Sequence, residues 1–279
     1  MATRLLLGLL VLATTTTCAH FYRRDSVAAV RVLTYNIRSG NGDIQRTAET
    51  IRQLAPDIAG LQEVDVNWAE RSAFADQAKS LAEMLGMEMR FAAIYALRGA
   101  DSTQPVRQFG VALLSRFRIL DSRNDILTRL STQVPNAVAA PAPGLLEATI
   151  DVAGTAVRVF NTHLDYRADP RVREKQVQEM LAYIGDAREP TLVLGDLNAS
   201  PDAIELQPLL RRLRDTWHSK GEPGFTYPAD KPVMRIDYVL ASKHFGVRSA
   251  SVPVTEASDH RPVLADLTLY LSRRASAAR

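Results

Sequence analysis

Several acidic, amide and imidazole side chains of this 279-residue chain stand where short apolar runs end. Asn36 closes "RVLTYN", Glu63 follows "IAGLQ", and Asn161 and His163 close "VRVFNTH". Asp196 and Asn198 follow "LVLG", Asp237 sits in "RIDYVL", and Asp259 and His260 stand in "ASDHRPV". Each has an ordinary structural explanation. Asp and Asn form turns, and Asn198 is placed to cap a helix over "SPDAIELQPLL" with Pro201 in its first turn. Repeated at six strand ends, the pattern instead predicts a pocket, because strand ends line the binding crevice in many α/β proteins. Oxygen ligands without thiols suit Mg²⁺, Mn²⁺ or Ca²⁺ rather than a structural zinc. Phosphate-ester cleavage needs a Lewis acid, an oriented water and cations for the developing charge. A His paired with an Asp is held in one tautomer and favoured as imidazolium. Spacing of two along an extended backbone puts Asp196 and Asn198 on one face, where they would share a water or a phosphate. No phosphate-binding Gly-rich loop and no G-x-S-x-G elbow competes with this reading.

The elements that must position these groups alternate between strands and helices. "AVRVLTYNI", "DIAGLQEV", "MRFAAIYAL", "FGVALLSR", "FRILDS", "LLEATIDV", "AVRVFNTHL", "TLVLGDL", "RIDYVLAS", "VRSASVPV" and "RPVLADLTLY" read as strands. Helices are predicted over "DIQRTAETIRQLAPDI", capped by Asp43, over "SAFADQAKSLAEMLG", closed by Gly86, and over "DPRVREKQVQEMLAYIGDA". "DVAGT" is a hairpin turn, and residues 98–107 and 131–144 are loops. Arg173 and Gln176 lie on the third helix as either support or surface, and Asp165 has no assigned role. Short connections between several strands argue for mixed rather than all-parallel sheets.

Hydrophobic residues make up 46% and charged residues 23%, enough for a full core. A net charge of only +3 disfavours a dedicated high-affinity nucleic-acid binder. The segment "MATRLLLGLLVLATTTTCAHFYRR" reads as a targeting signal, with an apolar run too short to span a bilayer comfortably. Cys18, the only cysteine, is expected to be lipidated as in bacterial lipoproteins, although Thr15–Thr17 depart from that signal. Plain secretion and an uncleaved anchor are the alternatives. The expected organisation is a signal over 1–18, a tether over 19–28, a catalytic domain over 29–271 and a tail over 272–279. The protein is expected in the cell envelope, periplasmic or membrane-anchored, and monomeric.

The ordered pieces "TYNIR", "LQEVD", "FGVALLSR", "FNTHLD", "GDLNASP", "RIDYVL" and "SDHRPV" resemble the endonuclease/exonuclease/phosphatase superfamily. That resemblance spans about residues 31–269 and implies an α/β, deoxyribonuclease I-like, four-layer sandwich: two packed mixed sheets flanked by helices. It implies that Glu63, Asn36 and Asp259 bind the metal, with Mg²⁺ expected. It implies that Asp196 orients or deprotonates the attacking water and that Asn198 holds the phosphate. His260, paired with Asp237, and His163 would contact the phosphate. Some relatives carry an Arg just before the strand that begins here at Leu145; this chain has Pro143 there, so that cation is either missing or replaced by another Arg. The stretch "FNTHLDYRADPRVREKQVQEM" resembles the branch near the C-terminal domain of calcofluor-white hypersensitivity proteins, which are linked to lipid remodelling. The reading is therefore a metal-dependent phosphodiesterase acting on a lipid or small extracytoplasmic phosphoester. The alternatives are an extracytoplasmic nuclease on DNA or RNA and a non-catalytic binding module tethered to the envelope.

Overall fold

Alternation along the first strand divides its side chains between two cores. In β1 (Arg24–Asn36), Val30 and Val32 join one apolar cluster, while Leu33 and Tyr35 join another. The structure, a computed structural model, describes residues 24–99, 103–217 and 222–272. After β1 come α1 (Ile44–Leu54), β2 (Ile58–Val66), α2 (Gln77–Leu85), β3 (Glu88–Leu97) and β4 (Arg107–Ser115). β5 (Ile119–Arg129), β6 (Ala140–Val152), β7 (Thr155–His163), α3 (Arg171–Ile184) and β8 (Thr191–Asp196) follow. The chain ends with α4 (Gln207–Arg212), β9 (Arg214–Asp215), β10 (Asp237–Ala241), β11 (Phe245–Ser251) and β12 (Val263–Ser272).

The strands form two six-stranded sheets, ordered β11-β12-β1-β2-β4-β3 and β5-β6-β7-β8-β10-β9. Among the described residues only β1/β2 and β7/β8 pair in parallel, each across a helical crossover through α1 or α3. Both sheets are thus mixed, as expected. Inward side chains of both sheets make the central core, including Val32, Ile58, Val159, Leu194 and Val239. A second core joins the first sheet to α1 and α2, and a third joins the second sheet to α3 and α4. The result is the four-layer sandwich implied by the resemblance. β1 and β12 run antiparallel, with Arg24 opposite Ser272, so the two terminal strands leave the domain at one end. Asn36 lies at the other end of β1, roughly 40 Å away at about 3.3 Å per residue.

Local chemistry explains the helix ends and turns. The Asp43 side chain accepts from Gln45 N and Arg46 N at the start of α1. The "DVAGT" turn places Ala153 and Gly154 at positive φ, as a tight hairpin requires. Several elements differ from expectation. β1 reaches back to Arg24, into the segment read as a tether, because β12 supplies a pairing edge. The second helix starts only at Gln77, since Ala73 and Phe74 are left-handed and Asp76 caps it by accepting from Lys79 N. β6 begins at Ala140, inside the predicted loop, through pairing with Arg129 of β5. After Asn198 there is no long helix, only a short 3₁₀ turn over Ile204–Leu206 and then α4. Among the described residues no helix is long and apolar enough to cross a membrane.

Candidate active site

The period-two pattern that fills the central core ends in polar groups at one pole of the sandwich. In β1, the inward row Val30–Val32–Thr34 ends at Asn36; in β7, Val157–Val159–Asn161 ends at His163. In β8, Leu192 and Leu194 lead to Asp196, and in β10, Val239 and Ala241 share the face of Asp237. Asp196 is the register partner of His163 on one side and of Asp237 on the other. These three side chains therefore form one row across the second sheet. The first sheet lays Asn36 over that row, its Nδ2 donating to Asp196 Oδ2 at 3.0 Å and to Glu63 Oε1 at 3.1 Å. Glu63 follows the inward Gln62 and would point to the helix side. A one-residue register shift between Leu61 and Val64 and a φ of 56° turn it back into the site.

Just below this row the sheets are stitched together. Gln62 Nε2 donates to Asn161 Oδ1 at 2.7 Å, and Asn161 Nδ2 donates to the carbonyls of Leu61 and Ala112. Asn161, grouped with the site by its strand end, is thus a structural tie between layers.

Asp196 is 1% exposed and sits between two imidazoles. His163 Nε2 lies 3.5 Å and His260 Nε2 3.8 Å from its Oδ2, while Asn198 N donates to Oδ1 at 3.0 Å. Burial and the charge of Asp237 push the Asp196 pKa up, against His163, His260 and Asn36. His260 Nδ1 is 3.0 Å from Asp237 Oδ2. Burial opposes a charge on His260, but the Asp237 charge and hydrogen bond, helped by Asp196 and Asp259, push its pKa up to about 10. His260 is consequently favoured as an imidazolium at neutral pH, its Nδ1 bonded to Asp237 and its Nε2, 3.8 Å from Asp196, open to an incoming anion.

Asp196, Asp237 and His260 form the tight ligand cluster, their ligating atoms within 4.8 Å of one another. That set differs from the expected trio of Glu63, Asn36 and Asp259. A protonated His260 is a poor metal ligand, so the carboxylates carry the fit to a hard cation. Asp237 Oδ1 is buried without a hydrogen-bond partner among the described residues, and the partly exposed Glu63 has Asn36 on one oxygen. Asp259 stands at the rim, 3.5 Å from Arg38 Nε. This oxygen-rich donor set suits a divalent metal.

The shared-face reading of Asp196 and Asn198 does not hold. β8 stops at Asp196, Leu197 turns into the third core, and Asn198 is left-handed with φ 51°. Asn198 Nδ2 donates to Leu164 O, fixing the loop after β7, and Asn198 caps no helix. Arg173 and Gln176 are both buried supports. Arg173 pairs with Glu205 and donates to the carbonyls of Asp165 and Arg167, and Gln176 Oε1 accepts from Asp165 N. The Asp165 carboxylate is held by Arg167. Cys18 lies outside the described residues.

One feature answers the question left open at Pro143, and a second has no counterpart among the sequence expectations. Arg129, at the end of β5, donates to the carbonyls of Pro143, Gly144 and His163 at 2.8–3.0 Å. Another Arg thus supplies a cation beside Pro143; its signal is a strand end, hidden by too short a reading of β5. Trp68, Tyr95 and Phe109 form an aromatic shelf with centroids 5.8–6.3 Å apart. They come from three separate segments, and no sequence pattern joins them.

A family model described as Endonuclease/Exonuclease/phosphatase family matches residues 33–260. No curated protein matches the sequence. The structure is similar to an endonuclease/exonuclease/phosphatase from Beutenbergia cavernae DSM 12333, with 26% identity over 91% of this chain and 74% of that one and a TM-score of 0.66. It shares its fold with the human Nocturnin catalytic domain with bound sulfate (23% identity, 88% and 97% coverage, TM-score 0.64). The same holds for ANGEL2, a 2′,3′-cyclic phosphatase in complex with adenosine-2′,3′-vanadate (14% identity, 89% and 99% coverage, TM-score 0.61).

Proposed function

Given that the chain belongs to the endonuclease/exonuclease/phosphatase family and carries a metal site of the divalent phosphoesterase kind, we propose that its substrate is a nucleotide-type phosphodiester: DNA, RNA or a fragment of either, cleaved outside the cytoplasm. The observation that carries the reaction class is the row His163–Asp196–Asp237 with His260 behind it and Asn36–Glu63 laid across it. Glu63, Asp196, Asp237 and Asp259 are the groups that would hold the metal, with Asn36 Nδ2 orienting two of them; the metal would supply Lewis-acid neutralisation of phosphoryl charge. Asp196 takes the proton of the attacking water; its burial raises its basicity for that task. Asn36 fixes the carboxylate's orientation through Oδ2, and Asn198 N does so through Oδ1. His260, kept charged by Asp237, donates to a phosphoryl oxygen as negative charge builds there. His163, with its side chain partly exposed at the cavity edge, offers a second donor.

A membrane lipid is the weaker reading. If Cys18 anchors the chain, only residues 19–23 separate it from β1, whose far end carries Asn36. The site then faces away from the anchoring bilayer, toward soluble substrates. The likeness to calcofluor-white hypersensitivity proteins supports a lipid-like phosphoester, but the solved ANGEL2 complex with an adenosine adduct supports a nucleotide. The intact acidic and imidazole set speaks against a mere binding module. The extracytoplasmic location rests on the N-terminal signal pattern. The deciding experiment is hydrolysis of plasmid DNA, RNA, bis-p-nitrophenyl phosphate, sphingomyelin and inositol phosphates with Mg²⁺, Mn²⁺ or Ca²⁺. Chelator-sensitive cleavage of sphingomyelin without cleavage of any nucleic acid would overturn the substrate class.

A further inference from the structure

We propose that the cavity beside His163 is a base-recognition subsite, selecting guanine over adenine by the adjacent O6 and N7 acceptors of guanine. The inference rests on the reading of the adjoining cluster as a phosphodiester-cleaving centre. The cavity has a volume of about 190 Å³ and borders Glu63 and His163, so a group held there is attached to a phosphate at the catalytic row. An apolar cavity of about 150 Å³ holds a benzene ring, so this space suits one planar base. Tyr95 and Phe109, with ring centroids 6.3 Å apart and planes at 22°, make the aromatic wall. Leu130 and Leu164 contribute apolar surface. Thr132 N donates to the Tyr95 hydroxyl at 3.0 Å and holds that ring in place. Such walls favour a flat, stackable group over a bare phosphate or a sugar.

The polar lining is biased toward donors. Arg129 is 9% exposed, and no carboxylate among the described residues lies within ion-pair distance of it. Three of its five N–H groups go to main-chain carbonyls, which leaves two without an acceptor among the described residues. Gln176 is 1% exposed and also lines the cavity. Its Oε1 accepts from Asp165 N at 3.0 Å, which fixes the amide's orientation, and its Nε2 has no partner among the described residues. The neighbouring Asp165 carboxylate is occupied by Arg167. Burial pushes the Arg129 pKa down to about 10, which still leaves a cation at neutral pH. Guanine offers the adjacent acceptors O6 and N7 to both donors, whereas adenine places its N6 amino group beside N7 and presents N–H to one of them.

The test is calorimetric binding of GMP, UMP, AMP, CMP and ribose 5-phosphate to the full chain with chelator present. GMP should bind about tenfold or more tightly than AMP. Gln176→Glu keeps an oxygen facing Asp165 N and turns the unpaired donor into an acceptor, so it should erase that preference. Should this variant fail to fold, Tyr95→Leu serves instead: it should weaken all four nucleotides relative to ribose 5-phosphate. Equal affinities for all five ligands, or an unchanged preference in Gln176→Glu, would overturn the subsite. Preserved base preference in a protein that cleaves no phosphodiester would instead remove the catalytic reading and leave the subsite standing.

Discussion

Replacing Asp196 by Asn keeps shape and volume while removing the charge at the centre of the row. The wild-type carboxylate accepts at both oxygens, from Asn36 Nδ2 and from Asn198 N, each at 3.0 Å. An amide can satisfy only one of these donors and must turn its own NH₂ toward the other. That costs about 1 kcal/mol for the lost hydrogen bond. Against it, the variant relieves a buried carboxylate whose pKa is raised by desolvation and by Asp237. The net stability change is thus expected within about 1 kcal/mol, or about 2–4 °C in melting temperature for a domain of this size. Catalysis should respond far more, since loss of a general base lowers kcat by about 10²–10⁴-fold, at about 1.4 kcal/mol of barrier per tenfold. The assay pairs kcat on bis-p-nitrophenyl phosphate at saturating Mg²⁺ with thermal melts of the same samples. NMR titration of His260 adds a control: its pKa should drop, because Asp196 is one of the charges that raises it. Wild-type turnover in Asp196→Asn would refute the mechanism. A rate loss accompanied by a melting drop above about 10 °C would show that the residue holds the fold instead.

Chelator should abolish hydrolysis, and Mg²⁺ or Mn²⁺ should restore it; Glu63→Gln should raise the metal concentration for half-maximal rate while leaving the melting temperature nearly unchanged. Metal-free stability should depend on pH through His260, whose folded pKa of about 10 stands above its ordinary 6.5. Its contribution is full below about pH 6.5 and is lost as pH rises through 10, so melts in chelator should fall over that window and flatten in Asp237→Asn. Arg129→Met strands the carbonyls of Pro143, Gly144 and His163 and should cost about 2–4 kcal/mol in denaturant titration. Arg129→Lys should rescue little of this, since one ammonium cannot span a planar fork. Cys18→Ser should shift the protein out of the membrane fraction, and unchanged fractionation would argue against lipidation.

Period-two alternation is a local property, and it makes most strands legible from the order of residues alone. It also locates the polar residues that interrupt the apolar rows, from Asn36 in β1 to Asp196 in β8. Asp43 as a helix cap and "DVAGT" as a turn are equally readable, because both depend on a few adjacent residues. What the chain cannot disclose locally is which rows become neighbours. Only pairing of β8 with both β7 and β10 sets His163 and Asp237 beside Asp196, and only face-to-face packing brings Asn36 to 3.0 Å from it. The bulge that redirects Glu63 arises from its pairing with β4, and the turn at Asn198 from its bond to Leu164 O. The same holds for Asn161, which alternation puts in line with His163 but which contact with Leu61 and Ala112 makes a tie between sheets. Arg129, Gln176 and Tyr95 meet at one cavity from three elements far apart in the chain. Side-chain direction is encoded by neighbours in sequence, whereas convergence and protonation depend on neighbours in space, and those exist only after the two sheets have packed.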